Sequence, residues 1–196
     1  AGIATKDMTF DDYLWLRGLS LMIETLHNNR PFGLLFKYAS EIRIKHMDLL
    51  LRLYESIDQA PQSVRDLVCG FIDETSNELW DSEAKLVEHY RKDENYAKLL
   101  QGEEGGNLIY KYKAMSIAFT VSSWVEYIGH ILKSFADEQD STDNETKNEV
   151  HRQIDTLIEF EMKKLDGVLN ADADISPVQM KSQYDIVAWI HSETSQ

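Results

Sequence analysis

The run Ala114-Met115-Ser116-Ile117-Ala118-Phe119-Thr120-Val121-Ser122-Ser123-Trp124-Val125-Glu126-Tyr127-Ile128-Gly129-His130-Ile131-Leu132-Lys133-Ser134-Phe135 decides the fold. Within it Ala114, Ile117, Ala118, Val121, Trp124, Val125, Ile128, Leu132 and Phe135 recur every three or four residues, the spacing of one face of an α-helix. The run predicts a helix with a single apolar stripe.

Downstream, Asp137 to Glu145 is acidic and polar and reads as an exposed loop. Val150, Ile154, Leu157, Ile158, Leu165 and Val168 then make a further amphipathic helix, closed by Asp172 to Pro177. The last apolar stretch, Tyr184-Asp185-Ile186-Val187-Ala188-Trp189-Ile190, is short, aromatic and β-branched. It suits either a strand or a closing helical turn, and a strand would lack a partner, because nothing else in the chain pairs as sheet.

Upstream, Gly102-Glu103-Glu104-Gly105-Gly106 reads as a flexible joint. Before it, Val64, Val68, Phe71, Leu79, Leu86, Tyr90, Ala97 and Leu100 keep near-helical register behind Pro61. Thr75, Ser82 and Asp93 interrupt that face, so the segment is one long helix or two with a kink around Trp80 to Ser82. Two shorter helices are expected over Phe32–Glu41 and Lys45–Ile57, the latter with Met47, Leu50, Leu51 and Tyr54 at helical spacing. The first helix opens at the N-cap Thr9, carries Asp11 and Asp12 in its first turn and runs from Phe10 to Asn29, where Asn28-Asn29-Arg30-Pro31 stops it. The expected class is therefore all-α, an irregular bundle of about five to seven helices in one domain over residues 1–196, ending in a short strand or turn.

Composition narrows the function. The chain has 196 residues, 43% of them hydrophobic, which suffices for a sizeable core, and only nine glycines and three prolines. A net charge of -14 repels phosphate backbones, so no nucleic-acid partner is expected. No apolar run approaches the roughly 20 residues that span a bilayer, and no signal-type segment opens the chain; a cytoplasmic protein is expected, without a membrane partner. Cys69 is the single cysteine, which excludes an internal disulfide. Its place between Val68 and Phe71 predicts a buried structural thiol.

Few residues suggest chemistry. Glu24-Thr25-Leu26-His27 has the Glu-x-x-His spacing of di-iron bundles, and Glu126 with His130 could complete it. Such a site needs two of these motifs and two further carboxylates, and only one motif is present, so surface or salt-bridge pairing is the plainer account. The Asp11-Asp12 pair lacks the third aspartate of a prenyl-binding motif. The glycine-rich joint lacks the Lys-Ser/Thr of a phosphate loop, so no catalytic or cofactor-binding residue is assigned. The first helix is apolar round most of its circumference, with Leu14, Trp15, Leu16, Leu19, Leu21, Met22, Ile23 and Leu26, and so is expected to be largely buried. At about 100° per residue, Arg17, Ser20, Glu24, His27 and Asn28 fall on one polar stripe. That stripe is either the solvated side of the helix or a seam in which Arg17, Glu24 and Asn28 contact another domain.

The stretch Met8-Thr9-Phe10-Asp11-Asp12-Tyr13-Leu14-Trp15-Leu16-Arg17, continuing through Leu19, Leu21, Glu24 and Asn28 to Pro31-Phe32, resembles a segment after the catalytic core of cobalamin-binding radical S-adenosylmethionine proteins, often labelled Fe-S oxidoreductases, where the helix ends in Asn-x-Arg-x-Phe. Gln183-Tyr184-Asp185-Ile186-Val187-Ala188-Trp189 resembles a Tyr-Asp-Ile-x-x-Trp segment late in the same proteins. These two ends bracket the chain, while the middle matches only as helices of similar length. The departures are that no Cys-x-x-x-Cys-x-x-Cys and no Asp-x-His-x-x-Gly is present.

The resemblance implies a helical C-terminal region, a fragment of a larger protein whose upstream catalytic domains are its partners. Those domains would hold a [4Fe-4S] cluster, S-adenosylmethionine and cobalamin, with no cofactor in this chain. The alternatives are a free-standing acidic module that binds a basic protein, and a di-metal carboxylate bundle. Ala1 is either a true N-terminus after methionine removal or an internal boundary. An apolar patch left by missing domains would also favour a homodimer of the isolated chain.

Overall fold

A computed structural model describes residues 7–28, 30–78, 80, 82–101, 106–139, 143–169 and 179–192. Among them are ten α-helices and no strand: α1 (Phe10–Met22), α2 (Gly33–Glu41), α3 (His46–Glu55), α4 (Gln62–Asn77), α5 (Glu83–Tyr90), α6 (Asp93–Leu100), α7 (Leu108–Phe119), α8 (Val121–Asp137), α9 (Asn144–Leu169) and α10 (Ile186–His191). The all-α class holds, with the helices cut more finely than expected. Most of the glycine joint at Gly102 to Gly106, the centre of the acidic loop at Asp137 to Glu145 and the closure over Asp172 to Pro177 lie outside the described residues.

The start of α1 follows from local chemistry. Asp12 N–H donates to Thr9 Oγ1 at 3.1 Å and Thr9 N–H donates to Asp12 Oδ2 at 2.8 Å, so two backbone donors that the helix leaves open are satisfied reciprocally. The two Thr9 hydrogen bonds hold the Asp12 carboxyl below the usual range. After Met22 the coil widens into a π-turn over Ile23–His27, closed by Asn28 N–H on Ile23 O at 2.9 Å.

The deciding run is divided at Thr120. There φ is −127° and ψ 8°, and the Thr120 hydroxyl donates to Ser116 O at 3.0 Å, so α7 ends and α8 starts in a new direction. The single stripe is therefore split between two helices. α7 buries Leu108, Tyr112 and Ser116 and leaves Ala114 and Ala118 exposed. α8 buries Val121, Trp124, Val125, Ile128 and Leu132 of the expected stripe, adds Tyr127 and Ile131, and leaves Phe135 half-buried.

α8 lies closest to α9, which contributes Ile154 and Leu157 to the shared core. Gly129 makes that approach possible: a Cβ there would stand 2.3 Å from Ile158 Cδ1. The Tyr127 hydroxyl donates to Leu53 O at 2.9 Å and Ser56 O at 2.6 Å, tying α8 to the end of α3. Burial pushes that hydroxyl's pKa well up. The segment after Pro61 separates into α4, α5 and α6, with Ser82 capping α5 through Lys85 N–H. α3 buries Leu49, Leu50 and Leu53, leaving Met47 exposed, so its inward face is turned from the expected one.

Cys69 is exposed, contrary to expectation. The buried face of α4 is set by Val64, Leu67, Val68, Phe71 and Thr75, and one residue past Val68 the helix has turned about 100° away from the core. No described helix is long and apolar enough to cross a membrane.

Candidate functional site

The polar stripe of the first helix is engaged inside the chain. The Arg17 guanidinium lies over the Phe71 ring of α4, 5.5 Å from its centroid. Glu24 accepts from Lys113 Nζ of α7 at 2.9 Å and from Asn28 Nδ2 at 2.8 Å. These two donors, Lys113 foremost, hold the Glu24 carboxyl below the usual range against partial burial. His27 turns the other way: its Nε2 is 3.2 Å from His46 Nδ1, while His46 Nε2 is 2.9 Å from both Ser40 Oγ and Phe36 O. The π-turn accounts for this divergence, because about 100° per residue no longer applies beyond Met22.

The candidate metal residues are not drawn together. Glu24 is committed to Lys113 and Asn28, His27 to His46, and Glu126 and His130 are exposed on α8. Among the described residues no three His, Cys, Asp or Glu side chains are grouped as a metal would require. An iron–sulfur cluster needs several cysteine thiolates, and this chain offers Cys69 alone, so the donor set for the implied cluster does not fit these residues.

A concave site forms where the C-terminal motif meets α2 and α9. Tyr184-Asp185-Ile186-Val187-Ala188-Trp189 becomes a capped helical turn: Asp185 Oδ1 accepts from Ala188 N–H at 2.9 Å, and Ile186 is buried. A helix of six residues is not stable alone, and the remainder of the chain holds it. Lys37 of α2 donates to the carbonyls of Trp189, Ile190 at 3.2 Å and Ser192 at 2.9 Å, and its ammonium lies 4.7 Å from the Trp189 ring centroid. A cation on the last carbonyls of a helix also meets the negative end of its dipole. Trp189 Nε1–H donates to Glu41 Oε1 at 2.6 Å.

This docking forms an open cleft of about 430 Å³ lined by Tyr38, Glu41, Gln153, Leu157, Tyr184 and Trp189, among others. The size is that of a small-molecule site. The Tyr38 and Trp189 rings meet at 66° with centroids 6.4 Å apart, a corner rather than a stack. The Tyr38 hydroxyl donates to Gln153 Oε1 at 2.6 Å and the Tyr184 hydroxyl to Glu149 Oε1 at 2.8 Å. Burial first, and then the charges of Glu41, Tyr184 and Glu149, push the Tyr38 pKa well up, so its hydroxyl stays a donor. Tyr184 and Trp189 stand in the motif already singled out in the sequence. Lys37, Tyr38, Glu41 and Gln153 carry no local mark of their role, because only the packing of α10 brings them to it.

The class so defined is an all-α multi-helix protein whose C-terminal turn walls a polar and aromatic cavity. No protein-family model, curated protein or solved structure matches the chain.

Proposed function

We propose that the chain is a non-catalytic helical accessory domain of a larger cytoplasmic enzyme, of the cobalamin-dependent radical S-adenosylmethionine type that its two ends resemble. It docks on the catalytic domains of the same polypeptide, which carry the cofactors. One observation supports docking through α1: Trp15 and Leu16 are 41% and 46% exposed, and with half-buried Leu19 they span about 100° of the helix's outer arc. The polar stripe is occupied by α4, α7 and α3, so the contact passes from Arg17, Glu24 and Asn28 to this apolar arc.

Sequencing the open reading frame around the chain is the first test, and upstream cysteines in cluster spacing are expected. In the intact protein, Leu16→Arg should then lower turnover at least several-fold, while the same change in the isolated chain leaves its melting temperature within about a degree, since the position is exposed. Unchanged turnover would refute docking through α1. The net charge of -14 favours a second reading, a free-standing module for a basic protein partner, and a start codon at Ala1 would decide for it.

A further inference from the structure

We infer that the cavity between α2, α9 and α10 binds a small organic cation with an alkylammonium head. Its walls carry the two kinds of group that recognise such a head. Tyr38, Tyr184 and Trp189 supply ring faces and edges, and Glu41 and Asp185 supply the negative charges, with Leu157 and Ile186 as the apolar floor. An ammonium against aromatic faces and a carboxylate is held by ring quadrupole and charge together.

The acids are available for the task. Glu41 Oε1 accepts from Trp189 Nε1–H and Asp185 Oδ1 from Ala188 N–H, and no hydrogen bond among the described residues engages Glu41 Oε2 or Asp185 Oδ2. Among the described residues no lysine or arginine lines the cavity. Two cations stand beside it and both are held: Lys37 by the carbonyls at the end of α10, with its ammonium over one part of the Trp189 ring, and Arg152 by Glu149 and the Tyr184 hydroxyl. The net charge of -14 raises the local concentration of cations further. An anion would meet the Glu41 and Asp185 carboxylates while the flanking Lys37 and Arg152 are already engaged by carbonyls and by Glu149, and a neutral apolar guest would leave both carboxylates unused. The volume, about 430 Å³, suits a small molecule.

The test is an NMR titration of the full 196-residue chain, following the Trp189 indole N–H with Trp15, Trp80 and Trp124 as internal references. The probes are tetramethylammonium chloride, tert-butanol and pivalate, at ionic strength matched with sodium chloride. Tetramethylammonium should shift the Trp189 signal saturably, and the other two should not. Glu41→Gln keeps an oxygen for the indole and Asp185→Asn keeps the helix cap, so each removes charge without removing a hydrogen bond. Each should weaken tetramethylammonium by about fivefold, and the pair by more than tenfold. Equal shifts with tert-butanol, tighter binding of pivalate, or undiminished affinity in the double variant would each overturn the assignment. If one variant fails to fold, the other and the three-probe comparison still decide it.

Discussion

Replacing Lys37 with methionine keeps the length and apolar stem of the side chain and removes its ammonium. In the native protein that group donates to the carbonyls of Trp189, Ile190 and Ser192 and stacks on the Trp189 ring. A hydrogen bond from a charged donor is worth about 1.5–3 kcal/mol when fully desolvated, and a cation over an exposed aromatic ring about 0.5–1. Lys37 is only half-buried and its bonds share one ammonium, so solvent screening reduces the total to about 2 kcal/mol. The loss falls on the docking of α10, not on the core, because Leu35, Phe36 and Ala39 on the same helix are untouched. Amide hydrogen exchange in the α10 turn, reported by Trp189 N–H and Ser192 N–H, should accelerate about 30-fold, the equivalent of about 2 kcal/mol. Exchange in α8 and the global melting temperature should barely move. Unchanged α10 exchange would refute the latch. A proportional acceleration throughout α8 would show that the turn and the core open as one unit.

Gly129→Ala should destabilise the protein by about 1 kcal/mol in urea unfolding, because about 1–3 kcal/mol of overpacking against Ile158 outweighs the roughly 1 kcal/mol helix-propensity gain. Adding Ile158→Ala, which removes the atoms 2.3 and 2.8 Å from the new Cβ, should cost less than the sum of the single changes; strict additivity would mean that the side chain swings aside freely. Glu24→Gln tests the Lys113 pair. The folded Glu24 carboxyl titrates below its unfolded value, so the pair's contribution is present above about pH 4.5 and is lost as pH falls through the folded value. With the carboxylate one-third exposed, about half a kcal/mol is at stake. The melting-temperature difference between wild type and variant should be positive at pH 7 and close to zero at pH 3, and a difference independent of pH contradicts the pairing.

Much of this was legible from local pattern. The Thr9 cap, the Phe32 to Glu41 and Lys45 to Ile57 helices and the α8 face follow from spacing and capping, which act within a turn or two of chain. The break at Thr120 was not legible, because the apolar residues on both sides keep step with a straight helix. A β-branched residue there bends the chain by bonding to its own preceding turn. Cys69 faces outward beside buried Val68 because neighbours in sequence do not share a helix face: one residue is about 100° of rotation. Of the cavity, Gln183, Tyr184, Asp185, Ile186 and Trp189 stand together in the C-terminal motif, while Tyr38, Glu41 and Gln153 carry no local mark.

By itself the sequence determined the helical class, the acidic surface and the places where most helices begin, since each depends on neighbours along the chain. Tertiary structure alone decided that the polar stripe of α1 faces α4, α7 and α3 while Trp15 and Leu16 remain outside. It alone brought Lys37, Glu41 and Gln153 to the C-terminal turn. Periodicity groups residues onto faces, but which face is covered depends on helices distant in sequence, and on the ion pairs and ring contacts that make burial of a polar flank tolerable.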